Sequence, residues 1–207
     1  MAHASERGRF ITVEGVDGAG KSTHIPWIAR RLRAAGHTVV VTREPGGTPL
    51  AEKLRSLVLS DAMDPLPETL LLFAARADHV QHVIRPALER GDWVLCDRFG
   101  DATVAYQNGG KGVPMPLIER LAEAAHAGLA PDRTLVFDCS YEVSRKRLAS
   151  AGRSPDRFER EDEAFFDRVR VAYARLARDE PSRIRLIDGA SAVEKIRTEL
   201  EKHLGFE

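Results

Sequence analysis

Short apolar runs alternate with longer amphipathic stretches along the whole chain, and this alternation predicts an α/β fold. Each run is almost entirely apolar, which is typical of strands buried on both faces in a parallel sheet covered by helices. The five predicted strands are FITV (10–13), TVVVT (38–42), WVLC (93–96), TLVFD (134–138) and IRLID (184–188).

Helices are predicted between these strands. The stretch 21–35 predicts a helix that Gly36 can end in a left-handed conformation. A long helix is predicted over 66–90, with one face packed on the sheet, because apolar residues recur there at spacings of three and four. These residues are Leu70, Ala74, Ala77, Val80, Ile84 and Leu88. Further helices are predicted over 115–127, 141–150, 161–178 and 191–203. We expect one domain over 1–207, with 1–8 as a disordered N-terminal extension.

Charge and composition narrow the classes of partner. Lysine and arginine total 31, equal to aspartate and glutamate, so the formal net charge is zero and offers no general attraction to nucleic acid or anionic membranes. No stretch approaches the roughly 20 apolar residues of a membrane span, and the sequence begins without the apolar segment of a signal peptide. We therefore predict a cytoplasmic protein with a small soluble substrate. Cys96 and Cys139 lack metal-ligand spacing and are predicted to be buried thiols.

The first strand runs into GVDGAGKS, a Gly-x-x-x-x-Gly-Lys-Ser pattern that predicts a phosphate-binding loop. Glycines let the backbone turn so that its N–H groups surround an anion at the positive end of the following helix. Lys21 would reach the outer phosphates of a bound triphosphate and the Ser22 hydroxyl would bind Mg2+. The residues assigned to this phosphate site are Gly15, Val16, Asp17, Gly18, Ala19, Gly20, Lys21, Ser22 and Thr23.

Charged residues follow two other predicted strands, where the carboxyl ends of parallel strands line the ligand crevice. Asp97 and Arg98 follow the third strand, and Asp97 could contact magnesium through water or orient Lys21. Arg43 follows the second strand, and Arg76 projects from the long helix. Three arginines beyond the phosphate loop imply a second phosphorylated ligand.

Each of these residues has a structural alternative. Asp97 and Arg98 could form only a surface ion pair, and Arg76 could lie on a solvated helix face. His79 and His82, three residues apart, could be imagined as metal ligands, but no third ligand is spaced to join them.

Five motifs occur in the order and approximate spacing seen in bacterial thymidylate kinases, and the chain resembles that family from about residue 9 to its last helix. The motifs are VEGVDGAGKST, TREPGGT, LLFAARADHV, CDRFGDATVAYQNGGKG and GRSPDRFE. The resemblance implies a P-loop kinase fold, a three-layer sandwich whose five-stranded parallel sheet has the order 2-3-1-4-5. It also implies a homodimer that transfers the γ-phosphoryl group of ATP to dTMP with Mg2+, for dTTP synthesis.

The resemblance further implies a role for each crevice residue. Arg98 and Arg76 would hold the dTMP phosphate with support from Arg43, while Asp17 would bind the 3′-hydroxyl group. Tyr106 would crowd the 2′ position, and Thr103 and Gln107 would face the pyrimidine edge. Phe73 would stack on the base. Family members often place that phenylalanine where this chain has Leu72, so either the helix presents Phe73 instead or the register differs by one.

The arginine-rich stretch AGRSPDRFER (151–160) lacks apolar periodicity and is predicted to be a mobile lid over ATP. The phosphate loop contains no arginine, and such family members typically draw a catalytic arginine from the lid. Arg153 is the first candidate and Arg157 the second. The alternative is a solvated turn in which Glu159, Glu161 and Asp162 pair with these arginines.

Two other functions are open at this point. A P-loop kinase for a deoxynucleoside would not need arginines for an acceptor phosphate. A nucleotide-dependent switch would carry an Asn-Lys-x-Asp guanine-reading loop, and the sequence contains none.

Overall fold

The computed structural model describes residues 7–152 and 154–205. The strands are β1 (Phe10–Gly15), β2 (Val39–Arg43), β3 (Trp93–Asp97), β4 (Arg133–Asp138) and β5 (Ile184–Asp188). The helices are α1 (Lys21–Ala34), α2 (Pro49–Ser60), α3 (Pro65–His79), α4 (Arg85–Glu89), α5 (Gly100–Thr103), α6 (Met115–His126), α7 (Tyr141–Ala149), α8 (Glu163–Asp179) and α9 (Val193–Leu204). Two π-helical segments lie at Val80–Ile84 and Val104–Gly110, and a 3-10 turn at Phe158–Arg160.

All five predicted strands are present, and they pair in parallel in the order β2-β3-β1-β4-β5. The predicted sheet order is therefore confirmed. The carboxyl ends of the strands lie at the same edge of the sheet. Asp97 at the end of β3 pairs with Val13 of β1 on one side and with Arg43 at the end of β2 on the other. This register brings the phosphate loop and the charged strand ends together, as the sequence predicts.

The central strand β1 is buried along its whole length and contributes to two cores. Ile11 and Val13 pack into a large core with residues of α1, α8 and α9, whereas Phe10 belongs to a second core with Val80 and Ile84. Because alternate side chains of a strand point to opposite faces, these two cores show that helices cover both sides of the sheet. The three-layer sandwich is confirmed.

The predicted helix 66–90 is present, but the prediction of which residues it buries is wrong for its first half. Leu70 is 45% exposed and Ala74 is also exposed, whereas Arg76 and His79 are buried. Apolar periodicity is misleading here because the inward face of α3 carries polar groups. In the second half, the predicted residues Val80 and Ile84 of the π-helical segment and Leu88 of α4 are buried as expected.

Two helical regions were not predicted from the sequence. The helix α2 begins at Pro49 after a Thr48 cap. A second helical region starts with α5 and continues through Val104–Gly110, and these residues 104–110 are called the π segment below.

Of the predicted N-terminal extension 1–8, residues 1–6 lie outside the described residues. Gly8 is hydrogen bonded to the Leu88 carbonyl at 3.0 Å, so the predicted disorder extends too far at this end.

Candidate active site

The phosphate loop (15–22) joins β1 to α1 in a conformation that requires glycine. Gly15 has φ 119°, and a Cβ atom there would lie 1.9 Å from the carbonyl oxygen of Phe137. Helix α1 begins at Lys21 and has no acidic residue in its first turn, so the positive end of its dipole is uncompensated. The Lys21 ammonium group donates to the carbonyls of Gly15 and Val16, each at 2.9 Å. This arrangement can bind an anion through the helix end and Lys21.

A second group of residues adjoins the phosphate loop and suits a hard cation. Ser22 and Asp97 line one cavity, together with Thr42 and Arg43. Asp97 Oδ1 is buried without a hydrogen-bond partner among the described residues, and such an atom usually has one. A carboxylate and a hydroxyl group, completed by water and phosphate oxygens, form the usual magnesium environment of a phosphoryl-transfer site. The residues therefore fit the predicted ion.

Arg98 joins the phosphate loop to the neighbouring strand end. It has the left-handed backbone conformation, with φ 72°, and its guanidinium group donates to the Gly15 carbonyl at 2.9 Å and to Asp17 Oδ1 at 2.6 Å. Tyr106 completes the group: Arg98 donates to its hydroxyl at 3.1 Å, and that hydroxyl donates to Asp17 Oδ2 at 3.3 Å. Burial alone would raise the pKa of Asp17, but Arg98 and Lys21 outweigh burial and lower it. Asp17 is therefore held as a carboxylate.

Glu14 fixes the backbone next to Arg98 from the interior. Its Oε1 atom accepts the Phe99 amide at 2.7 Å, and its Oε2 atom accepts the Tyr173 hydroxyl at 2.7 Å. Tyr173 in turn accepts a long hydrogen bond of 3.4 Å from Arg98. Burial, together with the neighbouring Asp101 carboxylate, raises the pKa of Glu14 to about 7. Glu14 is thus a titratable group that stabilises the Arg98 turn.

Arg76 is only 3% exposed and is held by three residues. It donates to Glu44 Oε2 at 2.7 Å, to the Phe99 carbonyl at 3.0 Å and to the Thr103 hydroxyl at 2.9 Å. Its Nη1 atom has no partner among the described residues. Because a buried guanidinium group costs free energy unless it is paired, this remaining donor favours an anionic ligand.

These side chains meet at one cavity, which we call the acceptor cavity. Its lining residues include Asp17, Glu44, Arg55, Leu72, Arg76, Arg98, Phe99, Thr103, Tyr106, Gln107, Asp156 and Phe158. The lining combines three arginines and three carboxylates with aromatic, aliphatic and amide groups. This composition suits a phosphorylated ligand that also carries a flat ring with hydrogen-bonding edges.

Comparisons with known proteins agree with this geometry. The family model described as "Thymidylate kinase" matches residues 13–200. The chain is 57% identical over 198 residues to the thymidylate kinase of Bordetella petrii, covering 96% of this chain and 95% of the relative. It is 54% identical over 196 residues to that of Cupriavidus metallidurans, covering 95% and 97%. The chain belongs to the thymidylate kinase family.

A solved structure supports the same assignment. The crystal structure of thymidylate kinase from Ehrlichia chaffeensis superposes with a TM-score of 0.77 at 33% sequence identity. The superposition covers 96% of this chain and 99% of that one. The structural resemblance therefore extends across nearly the whole chain.

Most residues assigned to the family's acceptor site do meet in this structure. Asp17, Arg76, Arg98, Thr103, Tyr106 and Gln107 all line the acceptor cavity. Arg98 pairs with Asp17 and Arg76 is buried, so the two alternatives of a surface ion pair and a solvated helix face are wrong.

Arg43 lies elsewhere. Its exposed side chain donates to Glu52 at 2.9 Å and lines the cavity of Ser22 and Asp97, so the structure does not bring it to the acceptor cavity. The predicted support of the acceptor phosphate by Arg43 would require a rearrangement of this ion pair.

Phe73 also lies outside the acceptor cavity. It is buried in a small core with Val113 and Ile118, while its neighbour Leu72 lines the cavity. The rotation of one residue along α3 explains the difference, because adjacent positions of a helix point about 100° apart. The structure therefore corrects the predicted stacking role of Phe73: Leu72 occupies the wall position, and Phe73 has the core role.

The lid (151–160) is described except for Arg153, so the first candidate for a catalytic arginine lies outside the described residues. Arg157, the second candidate, donates to the Val58 carbonyl at 2.8 Å and forms a short ion pair with Glu68. Its principal partner is thus on α3, not the lid acids considered in the alternative. Asp162 caps α8 by accepting from the Phe165 amide at 2.7 Å.

Several residues of the site were missed by sequence reasoning. Arg55 lines the acceptor cavity from α2 and donates to the Pro45 carbonyl at 2.8 Å, but α2 itself was not predicted. Glu44 follows β2 directly, and its ion pair with Arg76 is not indicated by the sequence. A glutamate in the REPGG motif was the available signal.

His79 has a structural role in place of the metal site considered for it. Its ring nitrogens hydrogen bond to the Thr42 hydroxyl at 2.7 Å and to Glu44 Oε1 at 3.0 Å, which orients the carboxylate that holds Arg76. In the described part of the chain, no cluster of three histidine, cysteine or acidic residues could hold a metal ion. Nor does any helix among the described residues have the length and hydrophobicity to span a membrane.

Proposed function

We propose that the protein transfers the γ-phosphoryl group of ATP to dTMP, giving dTDP and ADP. The main support is that Asp17, inside the phosphate loop, accepts hydrogen bonds from both Arg98 and Tyr106 of the acceptor cavity. The donor and acceptor sites therefore share a wall. A ligand in the acceptor cavity would have its phosphate group next to the phosphate loop.

The chemistry needs positioning and charge neutralisation. The nucleophile is an ionised phosphate oxygen of dTMP, so no general base is required. Catalysis then depends on aligning the two phosphate groups and stabilising the charge that spreads over the transferred group. The arrangement supports this mechanism because Lys21 and the α1 N-terminus belong to the phosphate loop, whereas Arg98 and Arg76 line the acceptor cavity.

Each acceptor residue has a proposed task. Arg98 and Arg76 bind the dTMP phosphate, with Arg55 contributing positive charge to the same cavity. Asp17 accepts the 3′-hydroxyl group of the deoxyribose, and Tyr106 crowds the 2′ position against ribonucleotides. Thr103 and Gln107 contact the pyrimidine edge, and Leu72 with Phe99 provides its apolar wall.

Ser22 and Asp97 would hold magnesium beside the phosphates of ATP, Asp97 directly or through water. When bound, the ion would neutralise negative charge on the phosphates. Lys21 complements it from within the loop, where burial and the nearby Arg98 lower its pKa. We further propose that Arg153 brings positive charge from the lid to the transferred group.

We also propose that the enzyme is a cytoplasmic homodimer. The resemblance to the family is the first support. The second support is a group of leucines on α2 and α3 that are exposed to solvent and do not belong to the core. They are Leu50, Leu57, Leu66 and Leu70, which are 44–50% exposed. Exposed apolar groups on two adjacent helices favour contact with a second copy.

A coupled ADP-release assay tests the activity. With magnesium and ATP present, dTMP should give the highest kcat/KM in a panel of nucleoside monophosphates. The unphosphorylated nucleoside thymidine, in the same panel, should give no turnover above background. ADP release that is independent of any acceptor would overturn the proposal.

A further inference from the structure

Glu68 is a buried carboxylate that the phosphoryl-transfer chemistry does not use. It lies on α3, is 0% exposed, and accepts from three donors, two in the segment 107–111 and one at Arg157. Its Oε1 atom accepts from Gln107 Nε2 at 2.8 Å, while its Oε2 atom accepts from Lys111 at 2.7 Å and from Arg157. Burying a carboxylate is costly even when it is paired, so stability alone gives little reason for it.

The two oxygens of Glu68 have separate tasks. Two cations hold Oε2, and Arg157 is itself fixed because its guanidinium group also donates to the Val58 carbonyl. The remaining oxygen, Oε1, is therefore turned toward Gln107. Since a carboxylate paired in this way only accepts hydrogen bonds, the NH2 group of Gln107 must face it.

This contact determines what Gln107 presents to a ligand. With its nitrogen bonded to Glu68, the amide carbonyl oxygen points the other way, and it has no partner among the described residues. Gln107 lines the acceptor cavity beside Thr103. A free carbonyl oxygen complements a ring N3–H donor, which thymine and uracil have. Cytosine has an acceptor at that position and would meet an oxygen.

We propose that Glu68 is a positioning residue that sets the orientation of the Gln107 amide and thereby selects pyrimidines with an N3–H donor. The inference rests on the proposed function, because it assumes a pyrimidine nucleotide in the acceptor cavity. It assigns the selectivity to a residue that does not line the cavity.

The substitution Glu68→Gln gives a sharp test because it should reverse the polarity of the contact. Lys111 and Arg157 donate, so they would keep the new carbonyl oxygen on their side. The new NH2 group would then face Gln107, whose own carbonyl would turn to accept it. Gln107 would now present N–H donors to the ligand. The side-chain volume and the contacts to both cations are largely retained.

Binding of dTMP and dCMP, measured by isothermal titration calorimetry, reads out the change without relying on turnover. We expect Glu68→Gln to lower the dTMP-to-dCMP affinity ratio by at least about tenfold. The control Glu161→Gln removes a carboxylate 3.9 Å from the same Lys111, yet it should leave the ratio unchanged. Thermal unfolding checks that both variants remain folded.

Repeating the substitution in an enzyme that lacks the Gln107 amide tests whether Glu68 acts through Gln107. In a Gln107→Leu enzyme, adding Glu68→Gln should not alter the ratio further, because the group that it reorients is gone. An unchanged ratio in the single variant, or an equal change in both backgrounds, would overturn the inference. A wild-type enzyme that binds dTMP without phosphorylating it would overturn the proposed function, and the affinity ratio would still decide the role of Glu68.

Discussion

At the scale of single residues, the site depends on Asp17 and Arg98 holding each other in place. Arg98 adopts a left-handed backbone conformation that costs free energy in a non-glycine residue, and such strain persists only where the surroundings enforce it. Here the Gly15 carbonyl and the Asp17 carboxylate hold the Arg98 side chain by hydrogen bonds. Glu14 holds the following backbone by accepting from the Phe99 amide.

Arg98→Ala should impair dTMP use far more than ATP binding. The variant would lose the charge-assisted hydrogen bonds that we propose for the acceptor phosphate, so we expect kcat/KM for dTMP to fall by roughly 10- to 100-fold. The dissociation constant for a non-hydrolysable ATP analogue should change little. Equal losses of dTMP and ATP binding would mean that Arg98 serves the other phosphate chain.

Glu14 gives the protein a pH-dependent stability. Its pKa is raised to about 7 in the folded state, so folded protein binds this proton more tightly than unfolded protein does. The free energy of unfolding should therefore decrease as the pH rises from about 4.5 to 7, with a slope of at most about 1.4 kcal/mol per pH unit from this group.

Urea denaturation of the wild type and Glu14→Gln at a series of pH values isolates this contribution. The difference in unfolding free energy between the two proteins should shift in favour of the variant as the pH approaches 7, and should level off above it. His126 has a lowered pKa of about 4 and opposes this trend in the wild type, but it is common to both proteins and cancels. A difference that is constant with pH would contradict the assignment.

Sequence reasoning identified residues that sit in motifs of fixed spacing and missed those that act across long separations. Asp17, Arg98 and Tyr106 belong to such motifs. Glu14 bonds to Tyr173, which is 159 residues away, and no local pattern indicates that pairing. Phe73 shows that sequence reasoning can miss by one position on a helix, because Leu72 lines the cavity while Phe73 lies in the core.

At the scale of elements, the parallel strands could be predicted because each is a short run made mostly of apolar residues. The helix α3 could be located, but its inward face could not, because buried polar residues such as Glu68 and Arg76 replace the apolar pattern. The π segment was missed for a similar reason. It presents Tyr106 and Gln107 to the cavity and packs against α8 through glycines instead of an apolar stripe.

Gly109→Ala should disturb the π segment. A Cβ atom at this position would lie 2.6 Å from Ala172 Cβ of α8, and neither helix has a flexible side chain there to move aside. We expect the free energy of unfolding to fall by roughly 1–3 kcal/mol and KM for dTMP to rise, because the segment carries two acceptor residues.

Gly100→Ala is the matched control for that substitution. Gly100 is also helical, but a Cβ atom there would meet nothing within 4 Å, so stability should be unchanged or slightly increased. Chemical denaturation of both variants checks the comparison. Similar losses in the two variants would contradict the close packing of the π segment on α8.

At the scale of the whole molecule, the sheet order places the phosphate loop and the acceptor cavity at one edge, and the exposed leucines of α2 and α3 lie outside both. The double variant Leu66→Glu with Leu70→Glu introduces charge on the exposed apolar face of α3. If that face forms a homodimer interface, light scattering should show a monomer in place of a dimer. Val171→Glu, at a 69% exposed apolar residue of α8, should leave the mass unchanged. A monomeric wild type would contradict the proposed dimer.

The central claim is that one crevice brings ATP and a nucleoside monophosphate together for direct transfer. Anion-exchange chromatography of a reaction containing enzyme, Mg2+, ATP and dTMP tests it most directly, because it measures ADP and the phosphorylated product at the same time. We predict one dTDP formed for each ADP, and no product when thymidine replaces dTMP. ADP without dTDP, or phosphorylation of thymidine, would contradict the account.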